Sequence, residues 1–229
     1  MYRGCIDPKT CSNPVDPLNP DSEVISMTYN AVYQIASPCH EIHCVTQQIF
    51  GAESASIEPV LMNGFIANFE KETKNDTYSL SVMDAFSPDH IPAIYSLAKE
   101  YAVYDAWYSA VPGPTMVNRA FAASATSHGM GTNDPITIAL GLPQKTMFKQ
   151  LEEMGLDWRV YFQDIPSVLQ HRDMRRLKTL NKFKRFSKFY DDVGKGKLPA
   201  FTWLEPAYFD GPLQPASDQV RERALRIAN

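Results

Sequence analysis

The chain reads as an α/β protein with a central, mostly parallel sheet flanked by helices on both faces. Stretches with helical apolar spacing alternate with short runs rich in β-branched and aromatic residues. Those runs are nearly all apolar, the pattern of strands covered on both sides. Seventeen prolines against 11 glycines also argue against a mainly helical bundle and for many loops of fixed φ.

The elements follow in chain order. CIDPKTCSNPVDPLNPD, residues 5–21, carries Pro8, Pro14, Pro17 and Pro20, which prevent a continuous helix or a central strand. It is expected to be a surface loop opening the chain over residues 1–24. CHEIHCVTQQIF and GFIANFEKETK are predicted as short peripheral helices, the second with Phe65, Ile66 and Phe69 on one side. In SPDHIPAIYSLAKEYA, Asp89 is a candidate cap, Pro92 suits a first turn, and Ile91, Ile94, Tyr95, Ala98 and Tyr101 form one stripe. AVYDAWYS is then predicted as a strand, VPGPT as a tight loop and MVNRAFAASATS as a helix. A similar unit follows: TMFKQLEEMG as helix and WRVYFQ as strand, with FTWLEP a further buried strand.

Residues 172–188 hold eight basic side chains in seventeen positions: Arg172, Arg175, Arg176, Lys178, Lys182, Lys184, Arg185 and Lys188. Met174, Leu177, Leu180, Phe183, Phe186 and Phe189 recur between them every third residue. In an α-helix each such step drifts by roughly 60°, so two short helical pieces, or a helix running into a loop, fit better than one straight helix. The segment is either a solvated basic face or a patch for anionic headgroups.

Composition sets outer limits. With 229 residues, 44% hydrophobic and 21% charged, the chain is long enough to bury a core, and disorder, a fibrous repeat and a coiled coil are excluded. A net charge of −4 gives no global attraction for nucleic acid. No run of roughly 18 apolar residues marks a membrane span, and Met1 to Thr10 lack a signal-peptide core. Cys5, Cys11, Cys39 and Cys44 cluster early in the chain, either as disulfides or as thiols. The sequon Asn75-Asp76-Thr77 fits a surface loop.

The chemistry is expected in loops at the carboxyl ends of strands. In VPGPTMVNR, Thr115 falls at a helix N-terminus, where unpaired N–H groups favour an anion; on its own it reads as a helix cap, and it becomes a nucleophile only with a base or a metal. Asn118 and Arg119 follow within a turn and suit phosphate oxygens. His40 and His43 in CHEIHC are packed with Cys39 and Cys44 too tightly for the usual zinc spacing. His90 and His171 are expected to be exposed, and His128 in SATSHG either sits at a helix end or turns back toward the anion site.

VPGPTMVNR, SATSHG, LPQKTMFKQLEEMG, DVGKGKLP and LEPAYFD, in that order, resemble the phosphoesterase family that contains plant non-specific phospholipase C, bacterial phospholipase C and a group of acid phosphatases. The resemblance implies an alkaline-phosphatase-like sheet and a hydrolase of phosphoric ester bonds, with Thr115 as metal-assisted nucleophile and metal ligand. Asn118 and Arg119 match the pair that follows the nucleophile. His40 looks like the histidine of an Asp-Pro-Gly-His loop near the phosphate, although the loop here reads Ser37-Pro38-Cys39-His40. His128 matches a Thr-Ser-His-Gly stretch. Glu205 matches the acidic residue of a Glu-Pro-Arg-Tyr-like strand end whose arginine is Ala207 here.

The family's Glu-Asn, His-Pro-x-His-Asp and Asp-Glu-His-Gly-Gly segments, which supply further ligands for a divalent metal, have no counterpart here. Residues 1–219 are therefore expected to form a partial domain, truncated at both ends, with 220–229 a tail outside the family pattern and low or absent activity. The implied substrate is a phosphate ester or phospholipid, with peripheral membrane contact and secretion or membrane association of a fuller protein left open. The alternative is a non-catalytic protein that binds anionic lipid or phosphate through 172–188.

Overall fold

A computed structural model describes residues 11–31, 36–53, 60–104 and 106–208. Cys5, Asp105 and the tail 220–229 lie outside the described residues. The chain divides into two compact units, the first running to Pro112 and the second starting at Gly113.

In the first unit, β1 (Ser12–Pro14) and β2 (Val24–Ser26) pair antiparallel with Asn13 opposite Ile25. The proline-rich loop thus holds a short hairpin. Helix α1 (Ile42–Phe50) ends at Gly51, whose φ of 69° is the left-handed conformation that glycine adopts freely. Helix α2 (Phe65–Thr73) buries Ile66 and Phe69 as the apolar spacing predicts. A Cβ on Gly64 would stand 2.0 Å from the Gln47 carbonyl oxygen, so α1 and α2 approach this closely only through glycine. Gln48 and Gln47 clasp Asn68 between the helices at 2.8 and 2.9 Å. Helix α3 (Asp76–Ser79) is capped by Asn75, whose side chain accepts from the Tyr78 N–H at 2.9 Å.

Helix α4 (Pro92–Glu100) forms where its stripe and Pro92 place it, but its N-cap is Ile91 and not Asp89. AVYDAWYS is not a strand in its described residues. Val103, Tyr104, Trp107 and Tyr108 are all exposed. β-Propensity measures fit to a paired, half-buried surface, and the three-stranded sheet does not include these residues.

The second unit is α/β. Helix α5 (Thr115–Ser124) leads to α6 (Pro135–Leu140), α7 (Met147–Glu153) and β3 (Trp158–Phe162). Three 3₁₀ turns follow, at Ser167–Gln170, Arg172–Arg175 and Leu177–Lys182, then β4 (Phe183–Arg185), α8 (Ser187–Gly194) and β5 (Phe201–Glu205). The strands form a parallel sheet in the order β4-β3-β5, with Val160 opposite Phe183 and Trp203. Trp158 and Val160 are fully buried with Phe148, Val168, Met174 and Ala123. Phe148 of α7 meets Trp158 edge-on at 4.9 Å, whereas Tyr161 meets Phe189 of α8 at 5.4 Å.

The basic segment forms two short helical pieces, Arg172–Arg175 and Leu177–Lys182, as expected, but both are 3₁₀ and not α-helical. A repeat of three residues is the period of a 3₁₀ helix, and extended residues at His171 and Arg176 break the run into separate turns. Its charges are used locally. Arg172 donates to the Leu140 carbonyl, and Arg175 to the carbonyls of Leu169, Ala139 and Ile138. Arg176 and Lys178 pair with Glu152, Lys182 with Asp157 and Lys188 with Asp192. Arg185 lies over the Phe162 ring and donates to the Gln163 carbonyl. His171, expected at the surface, is fully buried, with Nε2 3.1 Å from the Ser124 hydroxyl and Nδ1 3.3 Å from the Val168 carbonyl. Burial pushes its imidazole below the usual range.

Candidate active site

In the second unit, the ends of β3 and β5 and the start of α5 enclose a cavity of about 520 Å³ lined by Thr115, Arg119, Ser167, Gln170 and Tyr208, among others. Ile165, Pro166 and Ser167 follow the carboxyl end of β3, and Tyr208 follows that of β5. This is the edge of a parallel sheet where ligands bind.

Pro114, at φ −73° and ψ 164°, is the N-cap of α5 and supplies no side-chain cap, so Thr115 is the first helical residue and not the cap. The capping acceptor comes from Asn133, whose Oδ1 takes the Met116 N–H at 2.9 Å. This leaves Thr115 exposed at the mouth of the cavity, beside the positive end of a ten-residue helix. The Asn118 carboxamide donates to the Gly113 and Pro114 carbonyls at 3.1 and 3.3 Å and so ties the loop to its helix. Asn118 is not among the residues that line the cavity.

Arg119, one turn after Thr115, does line it. Its Nη1 donates to Glu205 Oε2 at 3.1 Å and to the Ser167 hydroxyl at 3.0 Å. Glu205 ends β5 and is fully buried. Its Oε1 also accepts from Ser167 at 2.6 Å and Trp203 Nε1 at 2.7 Å, and its Oε2 accepts from the Tyr208 hydroxyl. Each carboxylate oxygen is thereby satisfied twice, as a buried charge requires. The Tyr208 ring stacks under the guanidinium at 5.0 Å. Burial, then the Glu205 carboxylate, pushes the Tyr208 phenol well above its ordinary range, so it stays protonated as a donor. Glu205 and Tyr208 fix Arg119 by one nitrogen and one face. Its Nη2 and Nε have no hydrogen-bond partner among the described residues, which leaves two donors for an anion at the cavity wall.

His128 is exposed in the turn after α5 with φ 55°, and it does not line the cavity. His40 belongs to the first unit, where it is exposed and its Nδ1 lies 3.3 Å from the Pro38 carbonyl. Ser167 and Asn133 carried no sequence signal, because each meets α5 across a long stretch of chain. Tyr208 was visible as the tyrosine of LEPAYFD but without a role.

The cavity residues do not by themselves fit a divalent cation. The lining contains no carboxylate, imidazole or thiol, and the oxygens of Glu205 are already filled. Hard cations take six or more oxygens, and Thr115, the engaged Asn133 and the unpartnered Gln170 carboxamide together fall well short of that. Among the described residues, one group of metal-ligating side chains stands together, Cys39, His43 and Cys44, far along the chain from Thr115. The first and last of these form a disulfide, and Cys11 is also disulfide-bonded.

The phosphoesterase family pattern matches residues 4–219. Non-specific phospholipase C1 of Arabidopsis thaliana is 38% identical over 208 residues, covering 90% of this chain and 38% of that protein. Non-specific phospholipase C6 of the same plant is 39% identical, covering 89% and 38%, and non-specific phospholipase C3 is 35% identical, covering 90% and 40%. The chain therefore spans about two fifths of the length of these relatives. With a match that runs through the whole of the Thr115 and Glu205 cluster, the chain belongs to the phosphoesterase family.

Proposed function

We propose that the chain contributes the nucleophile and phosphate-binding arm of a hydrolase of phosphoric ester bonds, of the phospholipase C or acid phosphatase kind. The observation that carries this reading is that Thr115 and Arg119, one turn apart on α5, line one cavity at the carboxyl ends of β3 and β5. The names of the relatives point to a phospholipid or other phosphate ester as substrate. We take the sheet as part of an alkaline-phosphatase-like core with helices on both faces, and 1–219 as the phosphoesterase segment.

In this reading the phosphate lies against the α5 N-terminus and the two open donors of Arg119. Asn118 keeps the loop rigid, and the Thr115 oxygen attacks phosphorus, expelling the alcohol and leaving a phospho-threonine that water then hydrolyses. His40 is the proposed proton donor to the leaving group, and His128 a supporting side chain. The divalent metal that the family implies would need ligands beyond the cavity lining, with the Thr115 oxygen as one of them. Because the cavity lining holds no such ligand set and no base to take the Thr115 proton, the 229-residue chain is expected to turn over weakly or not at all. A form extended at both ends should be active and should lose on the order of 10⁴-fold in kcat as Thr115→Ala. Release of phosphate or phosphocholine, with mass spectrometry of acid-quenched protein for phospho-threonine, checks both points. An extended Thr115→Ala variant at full rate sinks the assignment.

The alternative, binding of anionic lipid through 172–188 without catalysis, loses its main support because seven of the eight basic side chains are engaged within the protein. Sedimentation with vesicles of anionic phospholipid tests it, and peripheral membrane contact more widely. No helix among the described residues is long and apolar enough to cross a membrane.

A further inference from the structure

We propose that Cys39, His43 and Cys44, in the dithiol form of the chain, bind a soft divalent cation of the zinc class. The three ligand atoms lie within 4.8 Å of one another. His43 Nε2 stands 3.3 Å from Cys44 Sγ. In a tetrahedral zinc site, with bonds of about 2.05 Å to nitrogen and 2.3 Å to sulfur, the N-to-S edge is roughly 3.6 Å. The two Cα atoms of the cysteines are 5.8 Å apart. From that span, rotation about the Cα–Cβ bonds lets the freed sulfurs separate to the roughly 3.8 Å of an S-to-S edge without moving the backbone.

The sequence spacing looked wrong for zinc because His43 and Cys44 are neighbours. Geometry removes that objection: both stand in the first turn of α1, a nine-residue helix, and the loop before it brings Cys39 back to them. A second cavity, of about 410 Å³, is bordered by His43 and Cys44 together with Glu53 and Glu72. It leaves a fourth coordination position open to water or a small ligand. Two thiolates and an imidazole select zinc-class ions over magnesium or calcium.

The oxidised chain cannot bind in this way, because the sulfurs are bonded to each other. A dithiol reductant supplies two electrons and two protons to the Cys39–Cys44 bond and itself closes to a disulfide. The cation then displaces the two thiol protons, so each metal bound releases two protons. Metal uptake is therefore conditional on redox state.

The test titrates the full chain with cobalt(II), before and after treatment with a dithiol reductant and its removal. The reduced chain should take up one equivalent with the thiolate-to-cobalt charge-transfer band and the visible absorption of a tetrahedral site, and zinc should displace it. The oxidised chain should show neither. Cys39→Ser and Cys44→Ser should abolish the band, Cys11→Ser should leave it intact, and His43→Ala should weaken binding on the order of tenfold or more. His43 is exposed, so its variant tests the site even if the serine variants fail to fold. The proposal is overturned if the reduced chain takes up no cobalt, if the band survives Cys39→Ser with Cys44→Ser, if it vanishes in Cys11→Ser, or if His43→Ala binds as tightly as the parent.

Discussion

Helices α4 and α5 were both readable in the sequence, α4 by its apolar stripe and α5 by its alanine-rich run, yet Val117, Ala120 and Ala123 of α5 are buried and no residue of α4 is. The contrast extends to their neighbours. Phe148 and Trp158, in the unit of α5, are completely covered, whereas Leu97 is 59% exposed and Trp107 83% exposed. Periodicity reports that a face would gain from cover; it does not report whether a partner is there. In the second unit β3 supplies that partner, because two parallel neighbours bury its alternate residues and hold Phe148 and Met174 against them.

The sharpest way to break this comparison is to cut matching side chains on both sides of it. Phe148→Ala removes a ring that touches Trp158, Phe201 and Trp203, and should cost about 3–5 kcal/mol. Leu97→Ala on α4 should change stability by less than about 0.5 kcal/mol. Urea unfolding followed by tryptophan fluorescence measures both. A Leu97→Ala loss as large as that of Phe148→Ala would mean that α4 is covered in solution and that the two helices do not differ.

A smaller effect tests whether the buried polar cluster is organised as tightly as the apolar core around it. Glu205→Gln keeps the shape but removes the charge that Arg119, Ser167, Trp203 and Tyr208 converge on. It should cost about 3 kcal/mol. Arg119→Met alone leaves Glu205 charged and without its cation, and should cost at least as much. The pair Arg119→Met with Glu205→Gln should recover part of that sum, since each change relieves the other. Strict additivity of the two losses would show that the groups act independently.

The same contrast explains what the sequence disclosed. α5, α7, β3 and β5 were legible because each depends on a local pattern, and Thr115 and Arg119 because they follow a short motif on one helix. Strand β4 was not, since its three residues gain their conformation from Val160 and its neighbours across the chain. The 3₁₀ turns were missed as such because a three-residue repeat was tested against the α-helical period. AVYDAWYS failed in the opposite direction, with strand propensity but no strand beside it among the described residues. Ser167, Asn133 and the buried state of His171 depend on contacts with α5 or its C-terminal residue Ser124 over long separations, and no local pattern encodes them.

The smallest predicted effect separates two charges of the second unit by pH. Lys188, by its hydrogen bond, and then Tyr161 hold the Asp192 carboxyl down from 3.8 to about 2, with Arg159 adding to the pull. A carboxyl whose folded pKa is depressed stabilises the fold above its unfolded value, and that contribution fades as pH falls from about 3.8 toward 2. His171 works in another window. Its folded pKa lies below 6.5, so the unfolded chain takes up a proton first and stability declines as pH drops below that value. Asp192→Asn should therefore lower stability by a constant amount from neutral pH down to about 4 and converge on the parent below it. His171→Gln should instead flatten the decline that starts near 6.5. Thermal unfolding of the three proteins across pH 2–8 distinguishes the windows. If Asp192→Asn changed the slope near pH 6, or left the acid limb untouched, the Lys188, Tyr161 and Arg159 contacts would not be holding that carboxylate in solution.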